Sequence, residues 1–235
     1  GEIYPMSDDF FVKARRNPTL TGEGITQALF ANRAGAIVRT SMIDQLIAAG
    51  YGYHVTVGAL TTPIVGGGNG TIFAPEQSEL SISVPSGAAI YPVRFSVQAE
   101  LPADQDGDVQ EILIAADRAA VSTATSSTGT VETAFNMRTD NPRTSVLTVV
   151  SANTSDHGTP TLGLELARRQ EVTNIVTSGI TQGVLDLLYE PEHPPLLIGP
   201  CAVYFYWGGT QAMSGFAQAQ WVELPESLNA LWGGS

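Results

Sequence analysis

Three aspartates at alternate positions, Asp104, Asp106 and Asp108, stand where the first ligands of a calcium loop would stand. Such a loop also needs a glycine at its sixth position and a chelating glutamate at its twelfth. Those positions hold Val109 and Ala115, so the segment reads first as a solvated acidic turn and only second as a weak cation site. The run Gly66 to Thr71, GGGNGT, invites comparison with a phosphate-cradling loop. That loop requires a lysine after its last glycine and a helix beyond it. No lysine follows, and TIFAPEQSELSISV has no helical period, so the glycines read as a connection between strands. His54, His157 and His193 fall in no metal-ligand spacing, and Cys201 is the only cysteine. Ser86 and Ser214 lack the Gly-x-Ser-x-Gly frame of an exposed nucleophile. Paired carboxylates of the glycosidase kind meet in space and not in sequence, so they stay open. Nothing else converges on a reaction. The expectation is a protein that is not an enzyme, with no catalytic residue, no metal and no cofactor.

The elements that would have to position any site are strands. Val55 and Val57, then Leu80, Ile82 and Val84, then Val93, Phe95 and Val97 alternate with small or polar residues. VQEILIAAD, TVETAFNMRT, TSVLTVVSA and TLGLELARRQEV continue the series, separated by turns such as Pro85-Ser86-Gly87 and Asp140-Asn141-Pro142. Short strands between Gly, Pro, Asn and Asp loops predict a β-sandwich, and the long connections favour a jelly roll over a meander. One helix is expected, over 41–49. Met42, Leu46 and Ala49 share a face, Ser41 or Thr40 would cap its start, and Gly50 would end it. The expected organisation is an N-terminal arm with a short helix over 1–50 and a sandwich over 51–235.

The 235 residues carry a net charge of −12, with Lys13 the only lysine. The imbalance is uneven. Residues 1–40 hold five basic side chains against four acids, and the remainder holds six against nineteen. An acidic body repels nucleic acid and anionic membranes, so neither is an expected partner. No apolar run reaches the ~18 residues needed to cross a bilayer as a helix.

From Leu185 to Leu224 the pattern predicts three strands, and the middle one places Tyr204, Phe205, Tyr206 and Trp207 in succession. Consecutive side chains of a strand point to opposite faces, so both faces of this strand must be covered, one of them by a second subunit on this reading. TTPIVGGGNGT (61–71), PEQSELSISVPSGAAIYPVRFSVQ (75–98), EILIAADRAA (111–120), TAFNMRTD (133–140), LGLELA (162–167) and LLYEPEHPPLLIGPCAVYFYWGGTQAMSGFAQAQWVEL (187–224) together resemble a group of tailed-phage virion structural proteins. The resemblance implies a capsid-decoration-like virion component with a jelly roll similar to tumour-necrosis-factor-like trimers. It brings no catalytic residues.

The function expected is therefore a head decoration (cement) protein on the capsid surface, a homo-oligomer and most simply a trimer, bound to the major capsid protein or other virion proteins. Tyr204, Tyr206, Trp207, Phe216 and Trp221 are the expected packing or trimer contacts, and Phe10, Phe11, Arg15 and Arg16 the expected arm contacts. Two alternatives stay in view. A jelly-roll major capsid protein would want more basic residues facing a packaged genome. A receptor- or glycan-binding fibre or tail protein would want exposed aromatics on loops that here are mostly Gly, Ser and Thr.

Overall fold

The computed structural model of the chain describes residues 41–59, 61–66, 74–100, 109–117, 129–141, 143–152, 160–172 and 183–225. The chain divides into two compact units, Gly1–Gln45 and Leu46–Ser235. Helix α1 (Met42–Ala48) spans that division. Its start is capped as the sequence predicts, with the Asp44 N–H donating to Ser41 Oγ at 3.0 Å. Its end belongs to the second unit. Gly50 takes φ 83°, the Tyr51 N–H donates to the Leu46 carbonyl at 2.9 Å, and the Gly50 N–H donates to the Ile47 carbonyl at 2.9 Å. These two bonds satisfy carbonyls that a helix end leaves bare, and only glycine reaches that backbone conformation without strain. A Cβ at Gly50 would also fall on the Asn141 amide. Gly50→Ala should therefore lower stability by about 1–3 kcal/mol in urea unfolding, and a wild-type midpoint would refute this account of the helix end.

The strands are β1 (Gly52–Val57), β2 (Ile64–Val65), β3 (Leu80–Val84), β4 (Ala89–Glu100), β5 (Val109–Asp117), β6 (Thr130–Glu132), β7 (Phe135–Asn136), β8 (Thr148–Ser151), β9 (Leu164–Val172), β10 (Val184–Tyr189), β11 (Leu197–Ile198), β12 (Cys201–Gly209) and β13 (Ser214–Glu223). They form two antiparallel sheets, and the protein is an all-β sandwich. The first sheet runs β10-β4-β13-β1-β7, with β11 joined to β4 and β2 to β13. The second runs β6-β8-β3-β12-β5-β9. The stretch TVETAFNMRT, expected as one strand, is two. β6 pairs with β8 in the second sheet and β7 with β1 in the first, so Thr133 and Ala134 carry the chain from one sheet to the other. The C-terminal region holds one strand more than expected, because Leu197 and Ile198 pair with Ile90 and Ala89 of β4.

The core follows from alternation. Val203, Phe205 and Trp207 of β12 and Ile112, Ile114 and Ala116 of β5 point inward from the second sheet. Phe95, Val97 and Ala99 of β4, Ala217, Ala219 and Trp221 of β13, and Tyr53, Val55 and Val57 of β1 meet them from the first. The alanines of β13 leave room for large rings opposite, and Phe95 meets Phe205 edge-to-face with ring centroids 5.1 Å apart.

Candidate assembly surface

The aromatic strand β12 is buried along its whole length, within the single chain. Its inward residues enter the core between the sheets. The Trp207 indole N–H donates to the Ile64 carbonyl at 3.1 Å, and its backbone N–H donates to Glu79 Oε2 at 3.1 Å. Tyr204 and Tyr206 point the other way and join Leu113, Ala115 and Ala202 in a second apolar cluster, with Leu162 packed against it. The Tyr206 hydroxyl donates to the Pro75 carbonyl at 2.8 Å. Both faces of β12 are covered, as consecutive aromatics require, and the chain itself supplies cover on the second face. Trp221 is equally buried and stacks on Tyr53 with centroids 6.2 Å apart. Tyr204, Tyr206, Trp207 and Trp221 are thus packing residues of the fold, with no surface left to offer a neighbour.

Polar groups on this second wall are unusual for the outside of a sandwich. Glu79, Glu111 and Asp117 are almost completely buried. Each has compensation. Glu79 accepts from Trp207, Asp117 Oδ2 accepts from the Thr161 N–H at 3.3 Å, and Glu111 Oε1 pairs with Arg168 Nη1. Burial nonetheless holds Glu111 above the usual carboxylate range, with Arg168 pulling it back. Burial, reinforced by Asp117, pushes the Cys201 thiol up to about 11, which leaves it a small protonated hydrophobe.

The outward face of the first sheet is different. Alternation sends His54 and Thr56 of β1, Ser96 and Gln98 of β4, and Phe216, Gln218 and Gln220 of β13 to this side, and register sets them in rows. Phe216 stands opposite Gln98, Gln218 opposite Ser96 and Thr56, and Gln220 opposite Arg94 and His54. Leu188 and Asp186 extend the rows on β10, and Phe135 on β7. The middle of this face carries no acid, although the body is strongly acidic. Leu188, Val184 and Phe135 are each at least half exposed. Phe216, Val184, Pro63, Gln98 and the acid Glu100 line a shallow groove of about 360 Å³ at one end of this face. Among the described residues, Phe216 alone of the aromatics proposed as contacts lies on an open surface. Leu188, Val184 and Phe135 were not singled out beforehand. Their signal was an apolar residue at the outward phase of an alternating strand.

Phe10, Phe11, Arg15 and Arg16 lie outside the described residues, as do Asp104, Asp106, Asp108, His157 and positions 67–71 of the glycine run. Among the described residues, no group of three His, Cys, Asp or Glu side chains is placed to hold a metal ion, and no helix is long and apolar enough to cross a membrane. No protein-family model, curated protein or solved structure matches the chain.

Proposed function

We propose that this chain is a bacteriophage virion structural protein, a head decoration protein that forms trimers and binds the capsid lattice. The observation that carries the reading is the outward face of the β10-β4-β13-β1-β7 sheet. It is broad, its middle carries no acid and one base, Arg94, and exposed apolar side chains stand on it, on a chain of net charge −12. Self-association of so acidic a body calls for a contact depleted in charge, and interface cores are depleted in the same way. The contact therefore takes in Phe216, with Leu188 and Phe135 toward its margins and Glu100 at the edge beside Phe216.

The sheet order supports the jelly-roll part of the reading. If the eight principal strands β1, β3, β4, β5, β9, β10, β12 and β13 are numbered in chain order, the sheets run sixth–third–eighth–first and second–seventh–fourth–fifth. Four times a strand returns over a long connection to lie beside an early one, the wrapping that a pair of Greek keys produces.

Two measurements test the function. Sedimentation of the purified chain should give a trimer, and Phe216→Glu should weaken it by about tenfold or more at unchanged melting temperature. A monomer, or a trimer indifferent to Phe216→Glu, would remove the proposed contact. Immunogold electron microscopy of particles carrying the chain should place label on the head surface. Label on the tail, or free of particles, would overturn the decoration role.

A further inference from the structure

At the opposite end of the sandwich from the Phe216 groove, a cavity of about 410 Å³ opens beside the end of β13. Its walls are Tyr51 and Tyr53, the turn from Pro85 to Ala88, the segment Arg143-Thr144, and Glu223. Most of its polar groups are already engaged. Glu223 is buried, with Oε1 accepting from Ser145 Oγ and, at 3.3 Å, from the Trp221 indole N–H. Its Oε2 accepts from the Val146 N–H at 3.3 Å. The Tyr53 hydroxyl donates to the Thr144 carbonyl at 3.1 Å. The backbone N–H groups of Ala88, Glu223 and Leu224 are spent on Pro85, Tyr51 and Ala89.

Arg143 is the exception. Its guanidinium lies over the Tyr51 ring, 4.0 Å from the centroid, and among the described residues it donates no hydrogen bond and forms no ion pair. Stacking on Tyr51 orients the planar fork, and Arg143 lines the cavity. Among the described residues it is the only basic side chain in the lining. Nearby, the Ser86 and Thr144 hydroxyls are likewise without a hydrogen-bond partner among the described residues. Arg143 acts electrostatically on both Glu223 and Tyr53, as expected for a cation placed at the mouth they share.

We infer that this cavity binds a carboxylate-bearing sugar, a uronic acid, with the carboxylate on the Arg143 fork and ring hydroxyls on Ser86 and Thr144. One cation matches one negative charge, and the nearby Glu223 carboxyl disfavours a dianion such as phosphate. The volume suits one or two sugar rings. The Tyr51 and Pro85 surfaces suit the apolar face of a pyranose. An extended peptide would seek free backbone donors, and here those of Ala88, Glu223 and Leu224 are already engaged.

The test titrates the 235-residue chain with glucuronate and galacturonate by saturation-transfer NMR, with glucose as the neutral control and inorganic phosphate as the alternative anion. A uronate should saturate, and glucose should bind weaker by about tenfold, the effect of one charge-assisted hydrogen bond. Arg143→Ala should abolish uronate binding and Arg143→Lys should restore part of it, with matched melting curves showing that each variant is folded. The inference is overturned if no uronate binds, if glucose or phosphate binds as well as the uronates, or if Arg143→Ala binds them like the parent. None of these outcomes bears on oligomeric state, so the trimer stands or falls separately.

Discussion

Trp207→Ala should cost about 3–5 kcal/mol in denaturant unfolding, the range for deleting the largest buried side chains. Trp207 sits at zero exposure between the sheets, so its removal opens a cavity that the paired strands on either side cannot collapse to fill. It also strips the Ile64 carbonyl of its indole donor. On the assembly reading above, whatever trimer the folded fraction forms should match wild type in sedimentation, because this ring faces the core and not a neighbour. A loss below about 1 kcal/mol would mean that β12 is not the centre of the core. A folded but dissociated variant would return the strand to the subunit contact that its sequence first suggested.

Arg168→Met is the second large effect, and it depends on pH. Arg168 compensates Glu111, which is about 1% exposed and has one carboxylate oxygen without a hydrogen-bond partner among the described residues. Removing one partner of a buried ion pair strands the other, at about 3–5 kcal/mol. Arg168 is 43% exposed and shared with Glu165, so the lower end, about 3 kcal/mol, is expected at neutral pH. Glu111 is already held above its ordinary value in the folded state, and losing Arg168 raises it further. A carboxyl raised in this way favours folding below its unfolded value of 4.5, and that contribution is lost as pH rises through the folded value. The deficit of Arg168→Met should therefore shrink on acidification. Adding Glu111→Leu should recover most of it at neutral pH. A pH-independent deficit would assign the loss to packing of the arginine stem.

The strands were legible because their alternation is strong. β5, β9 and β13 fall where the apolar period placed them, and the Ser41 cap and Gly50 stop frame the helix. The demand for cover on both faces of β12 was legible too, but not the identity of the cover. Leu162 and Pro75 are far from Tyr206 in sequence, and no periodicity links them. The same limit hid the Arg143 cavity. Arg143 follows Asp140-Asn141-Pro142 and reads as a turn residue, while Glu223 closes an apolar strand. Only the fold brings the Ser145–Val146 segment onto Glu223, across 77 or 78 positions. Buried carboxylates on a sandwich wall were illegible for a related reason. Glu79, Glu111 and Asp117 look like solvated residues near the ends of their strands, and only the fold sets the Trp207 N–H, Arg168 and the Thr161 N–H against them.

The strand order also sets a timetable for biosynthesis. β12 lies between β3 and β5 in one sheet, and β13 lies between β4 and β1 in the other. A nascent chain that has reached Pro200 thus possesses neither middle. β3 and β8 can pair with each other, and β5 with β9, but the two ladders have nothing between them until Cys201–Gly209 arrives. β1 waits still longer for Ser214–Glu223. Most strands must leave the ribosome before either sheet can close, and their unpaired edges are exposed for that interval. A break in translation anywhere before Cys201 would release fragments with unpaired edges and without the middle strand of either sheet, so β12 and β13 decide whether the sandwich closes.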